Sequence, residues 1–254
     1  MQHVSSSVTL VELKRSLVPP NWDTFVRTAN MSECKAVGLS LAYSFAADDL
    51  SQYLVDADDM SHLSHEQKWR LHVDMMTYIA AAHLMKGIVT TIGPEYDSVA
   101  VWLPPGTDAD GWWTVLRSGL WRMYYMLSGE GRKRYFNELL PLLHKTKLEV
   151  MGSREADCYY LVYLGTKPKA RGRGYARKLI EDMIEVCDTE HRPIYLESSS
   201  ASNTRYYKRF GFVVKREIAL TRGPAPVELT IMVREPRAAD PGCSEAFGAS
   251  ELKA

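Results

Sequence analysis

The first half of the chain carries apolar residues with the period of a helix and then with the period of strands. One helical stripe stops at Gly87, and Ser64 and Gln67 ahead of it have the spacing of a capping box. Residues 30–45 predict another helix. The runs "GIVTTIG" and "SVAVWL" predict two short strands, and "PPGTD" after them predicts a turn. The alternating N-terminal run "SSVTLVEL" predicts one further strand.

The second half predicts strands that alternate with helices. The run "CYYLVYLG", which begins at Cys158, is almost continuously apolar, as in a strand buried on both faces. A basic turn follows, and the helix after it keeps one apolar face. "PIYLES" predicts another strand, "TRYYKRF" a short helix that ends before Gly211, and "FVVKREIAL" with "VELTIMV" a terminal hairpin. This succession is typical of an α/β protein.

Two further segments bear on domain organisation. Residues 112–147 are rich in aromatic side chains and predict a long helical segment. The tail from Arg237 is rich in Ala, Gly, Pro and Ser, which predicts disorder. No stretch has the composition of a clean linker and no internal repeat is present, so we expect a single domain.

Composition and charge narrow the class of protein. The 254 residues are 46% hydrophobic and 24% charged with a net charge of zero, which gives no general case for a nucleic-acid or membrane partner. No apolar run has the length of a membrane helix, and the N-terminus lacks the features of a signal peptide, so we expect a cytoplasmic protein. The four cysteines lack CxxC spacing, which indicates free thiols. The histidines of residues 62–83 fall on different helix faces, so we expect no metal site.

The basic turn "KPKARGRGYARK" between a buried strand and a helix is the most informative segment. Glycines and a helix N-terminus after a strand form an arrangement that binds phosphate, and Lys and Arg add positive charge. The segment lacks the GxxxxGK[ST] pattern of a P-loop, because Tyr175 follows Gly174. It also lacks the third glycine of a dinucleotide fingerprint. The pattern that remains is R-x-x-G-x-A, from Arg171 to Ala176.

This pattern resembles the pyrophosphate loop of the GCN5-related N-acetyltransferases (GNAT). A second motif supports the resemblance, because Asn203, Tyr207 and the run Phe210-Gly211-Phe212 are similar to a later signature of that family. The two motifs stand in the family's order, with a helix and a strand between them. The resemblance covers about residues 159–235.

The resemblance implies a GNAT fold, a mixed twisted sheet with helices on both faces, and acetyl-CoA as co-substrate. It implies one acetyltransferase domain over residues 1–236, a helical insertion at about 108–147 and a disordered tail over 237–254. The implied cofactor-binding residues are Leu164, Gly165, Thr166, Arg171, Gly172, Arg173, Gly174, Tyr175, Ala176, Arg177 and Asn203. Asn203 either contacts the cofactor or caps its helix.

The same resemblance suggests two catalytic residues. Tyr207 would be the general acid that protonates the leaving thiolate, with Tyr206 as a weaker choice. The strand "YLVYLG" has no carboxylate, so Glu197 at the end of the next strand is the candidate base. If Glu197 is not the base, the amine arrives deprotonated or a residue of the N-terminal half accepts its proton.

The sequence constrains the identity of the acceptor less than it constrains the cofactor. Trp102 and Trp121 are candidates for an apolar acceptor pocket, and the acidic stretch Asp48–Asp59 is a candidate for attracting a cationic amine. We expect a small-molecule amine that receives acetyl directly in a ternary complex, and a protein that is a monomer or homodimer. The alternatives are a protein or peptide acetyltransferase that acts on lysine or N-terminal amines, and an acyl-CoA-binding protein without turnover.

Overall fold

The computed structural model describes residues 17–109 and 111–237. The predicted N-terminal strand and the predicted disordered tail after Arg237 lie outside these residues. Cys34, Cys158 and Cys187 are free thiols, as the cysteine spacing predicts, and Cys243 lies outside the described part.

The described strands form one mixed sheet in the order β1-β2-β3-β4-β5-β7-β6. Neighbouring strands pair antiparallel except β4 and β5, which are parallel. The strands are β1 Arg27–Thr28, β2 Ile88–Ile92, β3 Ser98–Leu103, β4 Tyr159–Thr166, β5 Ile194–Ser198, β6 Val213–Leu220 and β7 Val227–Arg234. The two central strands, β4 and β5, correspond to the runs predicted from Cys158 and Pro193.

Helices cover both faces of this sheet, as predicted. They are α1 Cys34–Ser44, α2 Asp49–Val55, α3 His65–Lys86, α4 Trp112–Ser118, α5 Met123–Met126, α6 Gly129–Arg132, α7 Leu140–Met151, α8 Tyr175–Thr189 and α9 Ala201–Lys208. Short 3₁₀ turns lie at Met31–Glu33, Asp58–Met60, Leu120–Arg122, Gly152–Asp157 and Pro168–Ala170, and Lys133–Leu139 forms a π-helical segment.

Two apolar clusters fix the positions of these layers. On one face α1, α2, α3 and the π segment pack around buried residues that include Leu41, Met76 and Leu139. On the opposite face α8 buries Leu179 and Ile180 against β3, β4 and β5, together with α9. Both clusters are built from the apolar stripes of the sequence, because each helix turns its hydrophobic face to the sheet.

Local sequence determines where the longest helix begins and ends. Ser64 caps α3, because its Oγ accepts the Gln67 amide while the Gln67 side chain accepts the Ser64 amide. The helix ends at Gly87, where a Cβ would lie 2.2 Å from the Trp102 carbonyl oxygen. Only glycine permits this approach between the end of α3 and β3. The predicted capping box and helix end are confirmed.

The single long helix expected over residues 112–147 is wrong, because this region is a series of short helices. Gly119 ends α4 in the left-handed conformation with φ +85°, where residues with a Cβ are disfavoured. Leu127 is extended, and the Ser128 hydroxyl caps the next helix by accepting the Gly131 amide. The short helices bend around the end of α3 instead of crossing it as one rod.

Candidate active site

The centre of the sheet opens between its two parallel strands. β4 and β5 pair only from Tyr159 to Leu161 on β4, opposite Ile194 to Leu196 on β5. Beyond this point β5 continues to pair with β7 through Glu197, whereas β4 continues to pair with β3. The two strands therefore diverge, and the edge of β4 that faces β5 is unpaired from Val162 onward.

A cavity of about 450 Å³ occupies this opening, and we call it the β4–β5 cleft. It lies between the end of α1, the start of α8 and the helix α9. Six predicted cofactor-binding residues line it: Leu164, Gly165, Thr166, Arg171, Ala176 and Asn203. Gly165 also permits α1 to lie against β4, since a Cβ there would stand 2.6 Å from the Ser44 Cβ.

The basic turn leads from this cleft to the N-terminus of α8. Gly172 and Gly174 have φ of +82° and +78°, and a Cβ at either position would meet nothing within 4 Å. Gly174 is the N-cap and has no side chain, so no side-chain hydrogen bond occupies the first amides of α8. These amides and the positive end of the helix dipole are therefore available to an anion.

The arginines of the turn differ in their environments. Arg171 donates from Nε to the Thr166 carbonyl at 3.3 Å and from Nη2 to the Ser44 carbonyl at 3.3 Å, so it joins the turn to α1. Arg173 is exposed, and Arg177 pairs with Glu181 along α8 at 2.7 Å. These side chains add positive charge at the mouth of the β4–β5 cleft.

The side chain of Tyr175 points away from the cleft. It is buried under the sheet, and its hydroxyl donates to Asp23 Oδ1 at 2.7 Å. At the start of α8, only the main-chain amide of Tyr175 is placed to bind an anion. The cofactor-binding role expected for Tyr175 is therefore limited to this amide.

Tyr207 lies in the wall of the β4–β5 cleft on α9. Its ring packs 5.7 Å from Phe212 and 6.2 Å from Tyr206, and burial raises its pKa above the ordinary value of tyrosine. The phenol therefore stays protonated at neutral pH. Tyr206 lines the same cleft but is less buried.

Asn203 is exposed in the cleft wall and does not cap its helix. The cap is Ser200, whose Oγ accepts the amide of Asn203 at 3.2 Å. The alternative that Asn203 caps α9 is wrong, because this residue lies inside the first turn. Its side chain is left to face the cleft.

A second cavity of about 200 Å³, the inner cavity, adjoins the cleft. Phe45, Asp48 and Ser199 line both spaces. Most of the inner cavity is apolar, and its walls include Leu54, Met75, Met76, Ile79, Leu139 and Leu143. Its polar side chains are Asp48, Ser51, His83, Asp108, Tyr135, Tyr160, Tyr163, Glu197 and Ser199.

Glu197 stands where the inner cavity meets a third space, the outer pocket of about 630 Å³. Burial raises the pKa of Glu197 to about 7, although the Tyr160 and Tyr195 hydroxyls and Lys147 act in the opposite direction. The carboxyl is thus about half ionised at neutral pH, which suits a group that exchanges protons. The sequence indicated Glu197 by its position at a strand end but gave no sign of this pKa.

Asp48 begins the acidic stretch noted in the sequence, which gave no sign of the hydrogen bonds that this residue makes. Its Oδ1 accepts the Ser199 hydroxyl at 2.6 Å and its Oδ2 accepts the Ser51 amide at 3.1 Å. Burial raises its pKa, while the hydrogen bonds from Ser199 and Ser51 act in the opposite direction. The hydrogen bond to Ser199 joins the first turn of α2 to the loop after β5, across the boundary between the cleft and the inner cavity.

The other acidic side chains near Asp48 have different surroundings. Asp56 pairs with Lys68, Asp58 contacts Arg134, and Asp59 accepts the Glu130 amide. The stretch Asp48–Asp59 is therefore largely engaged in holding α2 to its neighbours. The expected role in attracting a cationic amine therefore remains only for the first residues of the stretch, near Asp48.

The two tryptophans proposed for the acceptor pocket are not brought to these cavities. Trp102 has 0% exposure and packs in the core cluster beneath α8, so its assignment to a pocket is wrong. Strand position could not reveal this, because β3 is buried on both faces. Trp121 is 43% exposed and lines a separate surface groove with Tyr124 and Tyr125.

Within residues 17–109 and 111–237, no three His, Cys, Asp or Glu side chains are grouped so as to hold a metal ion. No helix of those ranges has the length and apolarity that crossing a bilayer requires.

Comparison with known proteins agrees with the geometry of the cleft. The sequence profile described as "Acetyltransferase (GNAT) domain" matches residues 146–214, which carry β4, the basic turn, α8, β5 and α9. The uncharacterized N-acetyltransferase C550.08 of Schizosaccharomyces pombe is 44% identical over 203 residues, 80% of this chain and 79% of that protein. This chain belongs to the GNAT superfamily. It is an acetyltransferase, and the predicted fold class is confirmed.

Solved GNAT structures share the fold at low sequence identity. Arylalkylamine N-acetyltransferase 2 of Aedes aegypti is 18% identical with a TM-score of 0.54, and the match covers 84% of this chain and 99% of that one. The polyamine N-acetyltransferase of Drosophila melanogaster is 15% identical with a TM-score of 0.51, over 83% and 99%. A histone acetyltransferase HPA2 and related acetyltransferase of Corynebacterium glutamicum is 18% identical with a TM-score of 0.52, over 84% and 97%. Because these GNAT proteins are named for different acceptors, the fold alone does not identify the acceptor here.

Proposed function

We propose that the protein transfers an acetyl group from acetyl-CoA directly to the amino group of a small molecule. The observation that carries this proposal is the inner cavity, lined mostly by apolar side chains and by Glu197, next to a cleft with the features of a CoA site. An acceptor would reach Glu197 from the outer pocket, on the side opposite the β4–β5 cleft.

Several features of the cleft and of the basic turn support CoA as the ligand. The open space at Gly172 and Gly174, beside the free amides of α8, would receive the pyrophosphate, with Arg171, Arg173 and Arg177 near it. The unpaired edge of β4 at Leu164–Thr166 offers main-chain groups to the pantetheine arm, and Asn203 faces that arm from α9.

When bound, acetyl-CoA supplies the acetyl group as a thioester, and its transfer forms an amide and releases a thiol. In the proposal, the bound ammonium group first gives one proton to Glu197, which passes it to solvent through the outer pocket. The neutral nitrogen then bonds to the acetyl carbon, and Glu197 accepts the second proton as the amide forms. Tyr207 donates its phenolic proton to the sulfur as the carbon–sulfur bond breaks. The pKa of Glu197 near 7 and the raised pKa of Tyr207 give each group the required protonation state at neutral pH.

A peptide acceptor is the second candidate, and the observation in its favour is the size of one surface groove. This groove of about 840 Å³ runs between α2, α9 and the β6–β7 hairpin. Its charge is mixed, because Asp49, Asp56, Glu217 and Glu228 are accompanied by Arg134, Arg205 and Lys208. A groove that selects lysine-bearing peptides would be predominantly acidic, so the enclosed cavity supports a small acceptor more strongly. Glu197 supplies the carboxylate absent from β4, which weakens the alternative of a protein without turnover.

An assay of thiol release from acetyl-CoA tests the proposal directly. The acceptors are a panel of small amines, a lysine-bearing peptide and a peptide with a free N-terminus, and mass spectrometry confirms the acetylated product. We expect turnover with small amines and little with the peptides. Turnover confined to a peptide, or no turnover with any amine, would contradict the proposal.

A further inference from the structure

The inner cavity has an uneven distribution of polarity. Part of its lining is formed by Met75, Met76 and Ile79 of α3 together with Leu54 of α2, and all four are buried. Leu139 and Leu143, from the π segment and α7, also line it. None of these side chains offers a hydrogen bond to a ligand.

The charges that line the inner cavity are of one sign. Asp48, Asp108 and Glu197 line it, and no Lys or Arg does so among the described residues. Asp48 lies on the side of the β4–β5 cleft, whereas Asp108 and Glu197 lie on the side of the outer pocket. A cationic ammonium group is favoured here, while an anionic or zwitterionic acceptor would bring a carboxylate beside three others.

From this distribution we infer that the acceptor is a monoamine whose amino group is carried on an apolar body, aromatic or aliphatic. The inference rests on the proposed function and specifies its substrate class. The amino group would lie beside Glu197 and Asp108, on the side of the outer pocket, and the apolar body would fill the space against α3 and α7. Burial of that body on Met and Leu side chains supplies affinity in proportion to the apolar area covered.

The same lining disfavours the two other common classes of amine. A polyamine would place further ammonium groups among Met75, Met76 and Ile79, where nothing compensates for their lost hydration. A peptide would place amide groups on the same surface, and their donors and acceptors would lack partners.

Two amines of equal size test this inference. Hexylamine and 1,5-diaminopentane have the same number of heavy atoms, and only the second carries a charge at its far end. We expect kcat/KM for hexylamine to exceed that for the diamine at least tenfold. From propylamine to hexylamine kcat/KM should rise about fourfold for each methylene until the cavity is filled.

Two variants of α7 test whether the inner cavity causes the rise of kcat/KM with chain length. Leu143 lines the inner cavity and Leu148 is exposed, and both belong to α7. Leu143→Asn should flatten the rise of kcat/KM with chain length, whereas Leu148→Asn should leave it unchanged. The rise of melting temperature with acetyl-CoA should be the same in both variants, which shows that the cofactor site is intact.

The outcomes separate this inference from the function on which it rests. Acetylation of 1,5-diaminopentane or a lysine peptide in preference to hexylamine would overturn the inference while leaving an amine acetyltransferase. If Leu143→Asn does not fold, the series of unbranched amines on the wild-type protein still decides. If no amine is acetylated although acetyl-CoA raises the melting temperature, the proposed function itself is wrong.

Discussion

Two carboxyl groups at the inner cavity show how surroundings decide the chemistry of a residue. Asp48 is fixed by hydrogen bonds from Ser51 and Ser199, so its oxygens are engaged in holding α2 to the loop after β5. Glu197 stands at the boundary with the outer pocket, where burial brings its pKa to about 7. A carboxyl with this pKa can accept a proton at neutral pH. Asp48, in contrast, mainly holds α2 to the loop after β5 through its hydrogen bonds.

Removing the Glu197 carboxylate should alter both the rate and its dependence on pH. Glu197→Gln should lower kcat about 10²–10⁴-fold, the usual contribution of a general base. In the wild type kcat should rise as pH increases through about 7, because the carboxyl loses its proton there and becomes able to accept one. This inflection should be absent from the variant. Glu185→Gln on the exposed face of α8 is the control, and a variant profile that keeps the inflection would exclude Glu197 as its source.

The Tyr207 hydroxyl should affect turnover without affecting cofactor affinity. Tyr207→Phe keeps the ring that packs on Phe212 and removes only the proton donor. We expect kcat to fall about 10²-fold or more while the dissociation constant of acetyl-CoA stays the same. Tyr206→Phe should cost less. Equal losses in the two variants, measured by steady-state kinetics and calorimetric binding, would assign Tyr207 to packing.

At the scale of elements, the basic turn before α8 has open space beside its glycines. It also leaves the first amides of α8 without a side-chain cap. Gly172 and Gly174 both have positive φ, and neither has an atom within 4 Å of its Cβ position. A Cβ at Gly174 would therefore meet no protein atom within 4 Å, and a longer side chain would extend into the space that we assign to the pyrophosphate.

Gly174→Glu should abolish the stabilisation that acetyl-CoA gives, because the side chain adds bulk and negative charge where the phosphates bind. Wild-type protein at a cofactor concentration of 100 times Kd should gain about 2.7 kcal/mol, read as a rise in melting temperature. Gly152→Glu is the matched control, since Gly152 also has positive φ and open space at its Cβ position. The control should keep the rise even if its own melting temperature is lower. A full rise in Gly174→Glu would place the pyrophosphate elsewhere.

The elements around this turn could be predicted because their signals are local. β4, the basic turn, α8, β5 and α9 follow one another within residues 159–208, and the turn and α9 carry their own motifs. The inner cavity could not be predicted, because its walls come from α2, α3, the π segment and β5, which are distant in sequence. Periodicity shows that Met76 and Trp102 face inward, but whether an inward residue borders a void or fills the core depends on packing. For this reason the sequence did not reveal that Trp102 is a core residue.

For the whole molecule, the raised pKa of Glu197 makes the stability of the folded protein depend on pH. The folded protein retains this proton up to about pH 7, whereas the unfolded chain releases it near the ordinary value of 4.5. Between these values the folded state binds more protons, so this group contributes stability at low pH that is lost as pH rises towards 7.

Glu197→Gln should therefore stabilise the protein at pH 8, because the amide resembles the protonated carboxyl. We expect the free energy of unfolding to increase by about 1–3 kcal/mol at pH 8 and by little at pH 5. Chemical denaturation of the two proteins at both pH values measures this difference, with Glu185→Gln as the control. A variant that is less stable than the wild type at pH 8 would contradict the raised pKa.

The carboxylate lining of the inner cavity also has a consequence for product release. Acetylation converts a cationic ammonium group into a neutral amide, so the attraction that draws the acceptor towards Asp48, Asp108 and Glu197 ends with the reaction. The apolar contacts are unchanged by the chemistry, which leaves the product held by its body alone. The cavity thus distinguishes substrate from product by charge. Because the residues that favour binding of the free amine do not attract the neutral amide, we expect the acetylated amine to be a weak inhibitor.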